Sequence, residues 1–466
     1  MKQIKSKMHR HFFPAIFLGI AITVGLMFTN TVLSQKRSAE IDSKLSAGTP
    51  AAPQYQIFDI GIVQTGDTAS QGFRISEGGI GVGRSVRSNG AQAFTWTRGG
   101  GIVGLPNLAG RAFCVSNGAN DSGIVTGTCA STLFGTSRLP VIWTNGAVSQ
   151  LPLPAGETLG DANDVNASGV AVGSVNSGSL QKAVYYSGGT ATFISQTTPN
   201  GSFFITAFSI NDSGRVVGQG IDPNNAARNV GIVYDIGSSS AFEVGALPNA
   251  NGALAFAVSN SGFVVGSSMQ NQGSGLPFIW SQAGGMTAIP LPTGTTQGSA
   301  RGVNSAGWAV GTASSAFAIP FLYDGTATYR LADLIPAGTG WDLSTNTSSS
   351  ALGISETNVI VGTGVFNGQT HAYAMVPVAN LSLGGRVLTA DGAGIRNASV
   401  TISGGNLPSP VTVSTGSFGY YNFQGLQTGL TYTVTVSTKK YVLTQSTRMT
   451  TLQSNVNDFN FVAQPL

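Results

Sequence analysis

A single unit recurs seven times along the chain and limits the folds open to it. Written as a polar turn, two apolar residues and a glycine, it reads SEGGIGVG at 76–83, NDSGIVTG at 120–127, NASGVAVG at 166–173 and NDSGRVVG at 211–218. It continues as NSGFVVG at 260–266, NSAGWAVG at 304–311 and SETNVIVG at 355–362. The closing glycines Gly83, Gly127, Gly173, Gly218, Gly266, Gly311 and Gly362 are spaced by 44, 46, 45, 48, 45 and 51 residues. Before each turn runs a short segment ending in Ile or Val, such as AFSI (207–210). After each glycine comes an apolar-aromatic segment: AFTW (93–96), PVIW (140–143), AVYY (183–186), GIVY (231–234), PFIW (277–280), PFLY (320–323) and HAYA (371–374). A fourth segment closes most copies, as in AFEVGALP (241–248). Four short strands joined by Gly/Asn/Asp turns, at a period of 40–50 residues, are the pattern of a β-propeller blade.

Helical repeats of similar period are excluded by composition. Gly accounts for 64 of 466 residues while charged residues make up only 9%, and no 3.6-residue periodicity is present. With 41% apolar residues the chain has enough to bury and is not intrinsically disordered. The fold class expected is all-β: a seven-bladed β-propeller followed by a small β-sandwich. The seventh copy, roughly 351–377, lacks a fourth strand. A lone matching segment, YQIFDIG at 55–61, precedes the first copy. Joining it to the last blade closes the ring and removes two exposed edges, so the propeller is assigned to 54–377.

These units resemble the HAF-type extracellular repeats of bacterial exported proteins, with their Ile-Asn, Ser-Gly turn, Val-Val-Gly and Ala-Phe-aliphatic-Trp strand. The resemblance covers about 320 residues and implies export and a propeller-like fold, with no reaction attached. Copies one and seven depart from the pattern, with Glu77-Gly78 and Glu356-Thr357-Asn358 in the turn.

Residues 381–466 follow a different pattern. GGRVLTADGAGIRNASVTISG (384–404) and GYYNFQGLQTGLTYTVTVS (419–437) alternate apolar and polar residues, and DFNFVA (458–463) closes a set of about seven strands. Such alternation packs as two sheets. The segment resembles the carboxypeptidase regulatory-like domain, a transthyretin-like module grouped with carbohydrate-binding folds. Sugar binding is implied by that grouping alone. Alternation turns Tyr421 and Phe423 to one face and leaves Tyr420 on the other, free to stack on a ligand.

The N-terminal segment reads as an address. MKQIKSKMHRH precedes an apolar run from Phe12 to Phe28, and Val32-Leu33-Ser34 offers a cleavage site. Residues 1–34 are read as a signal peptide and 35–53 as a flexible leader; the rival reading is an uncleaved anchor. The expected location is secreted or at the cell surface, with no membrane span in the mature chain. Lys2, Lys5, Lys7 and Arg10 lie in this segment. Without them, 19 Lys+Arg face 19 Asp+Glu, leaving no basic stripe for nucleic acid.

Two cysteines, Cys114 and Cys129, flank the turn at 120–123. Across one hairpin they form a disulfide in an oxidising compartment. A bulge at Gly123 would instead turn them to opposite faces. No catalytic, metal or cofactor site is expected. His371 is the one histidine of the mature chain, and no GxSxG occurs. Asp161, Asp164, Asp212, Asp235 and Asp324 are read mostly as turn caps, and DANDVNASG (161–169) as a structural turn rather than a calcium loop. Trp96, Trp143, Tyr186, Tyr234, Trp280 and Tyr323 are read as packing against the neighbouring blade. The reading is a monomeric, non-enzymatic binding or adhesion protein whose partner is carbohydrate or another surface protein. The alternative is an extracellular carbohydrate-active enzyme with carboxylates converging on the propeller channel.

Overall fold

The computed structural model describes residues 52–132, 137–177, 180–269, 274–378, 380–405, 407, 409–427, 430–452 and 454–465. The segments read above as signal peptide and leader, 1–34 and nearly all of 35–53, lie outside the described residues. Six blades are four-stranded antiparallel sheets laid down in chain order. The third, for example, runs Leu159–Val165, Ala171–Asn176, Lys182–Ser187 and Thr190–Phe193. The first blade begins at Ala69–Ile75 and the sixth ends at Thr328–Arg330. Blades one and two are joined by one parallel bridge, Ala91 to Phe113.

The seventh blade is composite. Ser350–Ile354, Ile360–Phe366 and Gln369–Pro377 supply its first three strands, and Tyr55–Asp59 pairs antiparallel with Gln369–Pro377 from Tyr55↔Pro377 to Asp59↔Tyr373. Tyr55 is 1% exposed, and His371 Nδ1 lies 2.9 Å from Asp59 Oδ1, tying the closing strand to its neighbour. The long sixth spacing has a local cause. A 3-10 turn, Leu331–Leu334, and a short strand, Trp341–Asp342, are inserted there, and the strand pairs with the far end of Ile360–Phe366.

One backbone device repeats in every blade. The closing glycine of each unit sits on the second strand, where an added Cβ would fall 1.8 to 2.1 Å from a carbonyl oxygen of the first strand. The partners are Gln71, Val115, Asp161, Thr206, Leu254, Ser299 and Ser350. Only glycine admits that approach. Two residues further on, each first strand carries one extra residue and the register shifts. The extra residues are Phe73, Asn117, Asn163, Phe208, Phe256, Arg301 and Leu352, each a β-bulge.

This device also settles the cysteine question. The bulge lies at Asn117, between Ser116 and Gly118, rather than at Gly123, which occupies the turn with φ of 82°. Cys114 therefore stands directly opposite Cys129, and the two form a disulfide.

Small cores lie between neighbouring blades. Trp96 packs with Val361, Ala372 and Ala374 of blade seven, Tyr186 with Ile124 and Ile142 of blade two, and Trp280 with Val217 and Val233 of blade four. Trp143 Nε1 donates to Pro106 O at 2.8 Å. The recurrent aromatics are inter-blade packing.

Residues 380–465 form two four-stranded sheets, eight strands where the alternation suggested seven. One contains Asn380–Thr389, Tyr420–Gln427, Tyr441–Leu443 and Phe461–Pro465; the other contains Ser399–Gly404, Val411–Ser414, Thr431–Ser437 and Thr447–Thr451. Tyr421, Phe423, Leu426, Val400, Ile402 and Tyr432 meet in a core that includes no propeller side chain. Among the described residues no helix is long and apolar enough to cross a membrane.

Candidate functional site

Two places bring functional side chains together: the central channel of the propeller and an exposed aromatic corner of the sandwich. The channel is built by the first strands and the turns that follow them. At the first turn position, Asn120, Asn166, Asn211 and Asn304 each accept from the backbone N–H four residues on, at 2.9–3.0 Å. Each donates its Nδ2 to a carbonyl of the next blade, on Asn166, Asn211, Ser259 and Ser355 in turn. Ser76, Ser259 and Ser355 keep the local bond through Oγ but have no amide to offer the next blade. The Asn of the repeat therefore closes its own turn and binds its neighbour.

The second turn position is acidic in four blades. Glu77, Asp121, Asp212 and Glu356, with Asp164 from the third first-strand, line one mouth of the channel around a cavity of about 240 Å³. Each of these carboxylates has a hydrogen-bond partner. Asp121 accepts from Gly78 N at 2.8 Å, Asp212 from Ala167 N at 2.8 Å and Asn260 Nδ2 at 2.8 Å, and Glu356 from Ser305 N at 3.0 Å. Asp164 accepts from Ser209 Oγ at 2.7 Å and faces Arg74 at 3.4 Å. Glu77 accepts from Asn260 Nδ2. Partial burial first, then the charges of Asp212, Glu356, Asp121 and Asp164, push the Glu77 carboxyl up to about 7.

Deeper in the channel the seven bulge residues point inward and, with Arg74, line a second cavity of about 250 Å³. Arg74 spans the bore between the two cavities. Its Nη2 donates to Phe208 O at 2.9 Å and Phe256 O at 3.2 Å.

The sequence-predicted residues fall as follows. Asp161 and Asp164 are not in a turn; they lie within the strand Leu159–Val165, because the bulge between Ala162 and Asp164 absorbs the polar run. Asp161 faces Arg138 at 3.4 Å, and Asp235 faces Arg215 at 2.8 Å. Asp324 caps its turn through Thr326 N and Ala327 N, both at 2.8 Å. Among the described residues no group of three or more His, Cys, Asp or Glu is placed to hold a metal. The convergence of Glu77, Asp121 and Glu356 was missed, though aligning the second turn position of the seven copies exposes it. The guanidinium groups in the bore were missed as well.

On the sandwich, Tyr420 lies on an edge strand and is 59% exposed, whereas Tyr421 is 5% exposed. Arg386 is the cross-strand partner of Tyr420; its guanidinium carbon sits 4.8 Å from the ring centroid and its Nε donates to Phe418 O at 3.0 Å. Phe418 itself is 72% exposed. An open aromatic ring held in place by an arginine offers a stacking face and a charged donor side by side.

Residues 382–464 match the carboxypeptidase regulatory-like domain family. No curated protein sequence matches the chain. Solved structures similar to it include virginiamycin B lyase from Staphylococcus aureus, catalytically inactive and crystallised with quinupristin, at 12% identity and TM-score 0.43 over 69% of this chain and 99% of that one. TolB from Acinetobacter baumannii aligns at 9% identity and TM-score 0.36, over 67% of this chain and 63% of that one. Dipeptidyl peptidase 4 from Porphyromonas gingivalis aligns at 10% identity and TM-score 0.38, over 71% of this chain and 61% of that one.

Proposed function

We propose that the chain is an exported, non-enzymatic binding protein of the HAF-repeat type, carrying its ligand, a glycan, on the C-terminal sandwich. The observation that carries this reading is the open Tyr420 ring, held by Arg386 beside the exposed Phe418. Aromatic faces stack on the apolar faces of sugar rings, and an arginine supplies directional donors to hydroxyl or carboxylate groups. The basic-then-apolar N-terminus supports export to the cell surface or beyond. A glycan-array screen of the purified protein tests the reading. The expected result is a defined set of bound glycans that Tyr420→Ala loses while its fold is retained, whereas Tyr421→Ala unfolds the sandwich. An array with no bound glycan, or unchanged binding by Tyr420→Ala, overturns it.

One observation favours a second reading, hydrolysis of a glycan at the acidic mouth. Glu77 titrates near neutrality beside four further carboxylates, as a general acid requires. Against it, all five are engaged with backbone or side-chain donors of the ring itself. Turnover of a glycan panel that Glu77→Gln abolishes would establish this second reading.

A further inference from the structure

The waist of the channel is neither the acidic mouth nor the sandwich corner, and its chemistry differs from both. Three phenylalanines, a leucine, two asparagines and an arginine project into it from seven bulges. Arg301 stacks on Phe256, its guanidinium carbon 3.7 Å from the ring centroid, and its one hydrogen bond among the described residues runs from Nε to Ser299 Oγ at 3.1 Å. No carboxylate lies within ion-pair distance of Arg301 among the described residues, although Asp164 serves Arg74 nearby. Arg84 repeats the arrangement at the rim: it stacks on Phe73 at 5.8 Å, donates to Gln71 Oε1 at 2.8 Å and has no acidic partner among the described residues. A sheltered cation without a counter-charge is costly, and a bound anion offsets that cost. Burial, and then the charge of Arg74, pull the Arg301 guanidinium down to about 10, as expected where no anion balances it.

The amides add a second requirement. Asn117 and Asn163 donate Nδ2 to Ala162 O at 3.0 Å and Ala207 O at 2.8 Å, across to the next blade. Neither Oδ1 accepts a bond among the described residues, so both remain acceptors for a ligand donor. The acidic mouth repels anions, and Arg74 closes the bore on that side. Approach is from the opposite side, where a groove lined by Arg84, Arg138 and Asp161 shares Asn117 with the waist.

We propose that the waist binds a small hydroxylated aromatic carboxylate. Its carboxylate meets the open end of Arg301, its ring packs among Phe73, Phe208 and Phe256, and its hydroxyl donates to Asn117 or Asn163. A cavity of about 250 Å³ has room for one substituted ring.

Calorimetry and thermal shift on the full chain at constant ionic strength test this, with 4-hydroxybenzoate as probe. Phenol supplies the ring and donor without the charge, and inorganic phosphate supplies charge without the ring. The expected result is saturable, one-to-one binding of 4-hydroxybenzoate, at least about tenfold tighter than either control, since a charge-assisted guanidinium contact accounts for a factor of that size. Arg301→Gln should weaken it about tenfold or more. Arg98→Gln, which removes a positive charge from an outer turn, should leave it within about twofold. Absence of saturable binding, phenol binding as tightly as 4-hydroxybenzoate, undiminished affinity in a folded Arg301→Gln variant, or loss in Arg98→Gln would each overturn the proposal. Should Arg301→Gln not fold, the three-probe comparison on the unaltered protein decides the matter alone.

Discussion

The propeller and the sandwich are both all-β, yet they are specified in opposite ways. In the sandwich a single core gathers side chains from both sheets, and strict alternation assigns each residue to the inside or the outside. The propeller divides its apolar residues among small cores shared by adjacent blades, and holds its centre with turn amides and glycines. One fold is written by hydrophobic pattern and the other by backbone approach. A change of face should therefore be the worst error in the sandwich, and the addition of one carbon atom the worst in the propeller. All five tryptophans, at 96, 143, 280, 308 and 341, lie in the propeller. Their fluorescence follows that domain alone, while near-ultraviolet tyrosine dichroism of 380–466 follows the other.

The largest expected effect comes from removing the closing strand. Deleting 51–62 strips Tyr55 and Ile60, 1% and 3% exposed, from blade seven. The propeller should lose several kcal/mol, on the scale of a strand's buried side chains. Tryptophan-monitored melting should shift down strongly while the isolated fragment 380–466, expected to fold cooperatively by itself, sets the unchanged reference. An unaltered melting temperature would break the picture of a closed ring.

Gly266→Ala comes next. Its Cβ would lie 1.8 Å from Leu254 O, and relief requires the bulge at Phe256 to be undone; the cost should be about 3 kcal/mol or more in urea unfolding. A loss within about 0.5 kcal/mol, the range for a neutral surface change, would show that the bulge does not depend on glycine. Reducing the Cys114–Cys129 bond should cost the propeller roughly 2–3 kcal/mol, as a loop of 15 residues gives by chain entropy. Free thiols in the unreduced, unfolded protein would contradict the bond.

The smallest effect is electrostatic. Glu77 binds its proton more tightly folded than unfolded, with its folded value about 7 against 4.5. Between those values the native state holds the proton that the unfolded state has released, so stability falls as pH rises through that window and levels off above it. Glu77→Gln should flatten this slope and raise stability at pH 8 by about 1 kcal/mol or less, since Glu77 is only partly buried and solvent screens it. A pH profile unchanged by the substitution would remove Glu77 from the account.

Much of this was legible in the chain. The Val-Val-Gly period gave blade number and closure, and the Tyr420–Tyr421 alternation was readable because a strand has period two. The bulges were not legible. One extra residue in a strand of seven leaves no mark in its own segment, and its cause, the glycine, lies on the partner strand. For the same reason Asp161 and Asp164 looked like a loop. The acidic mouth escaped because its members sit in separate copies, and only the ring brings them together.

The bulge position is where the propeller is free to vary. At the paired glycine all seven copies agree, but the residues they turn inward are Phe, Asn, Asn, Phe, Phe, Arg and Leu. Scaffold and bore are thus encoded by different letters of the same repeat. Exchanging one inward-facing residue therefore changes the lining of the bore at one blade and leaves untouched the glycine against which that blade's first two strands close.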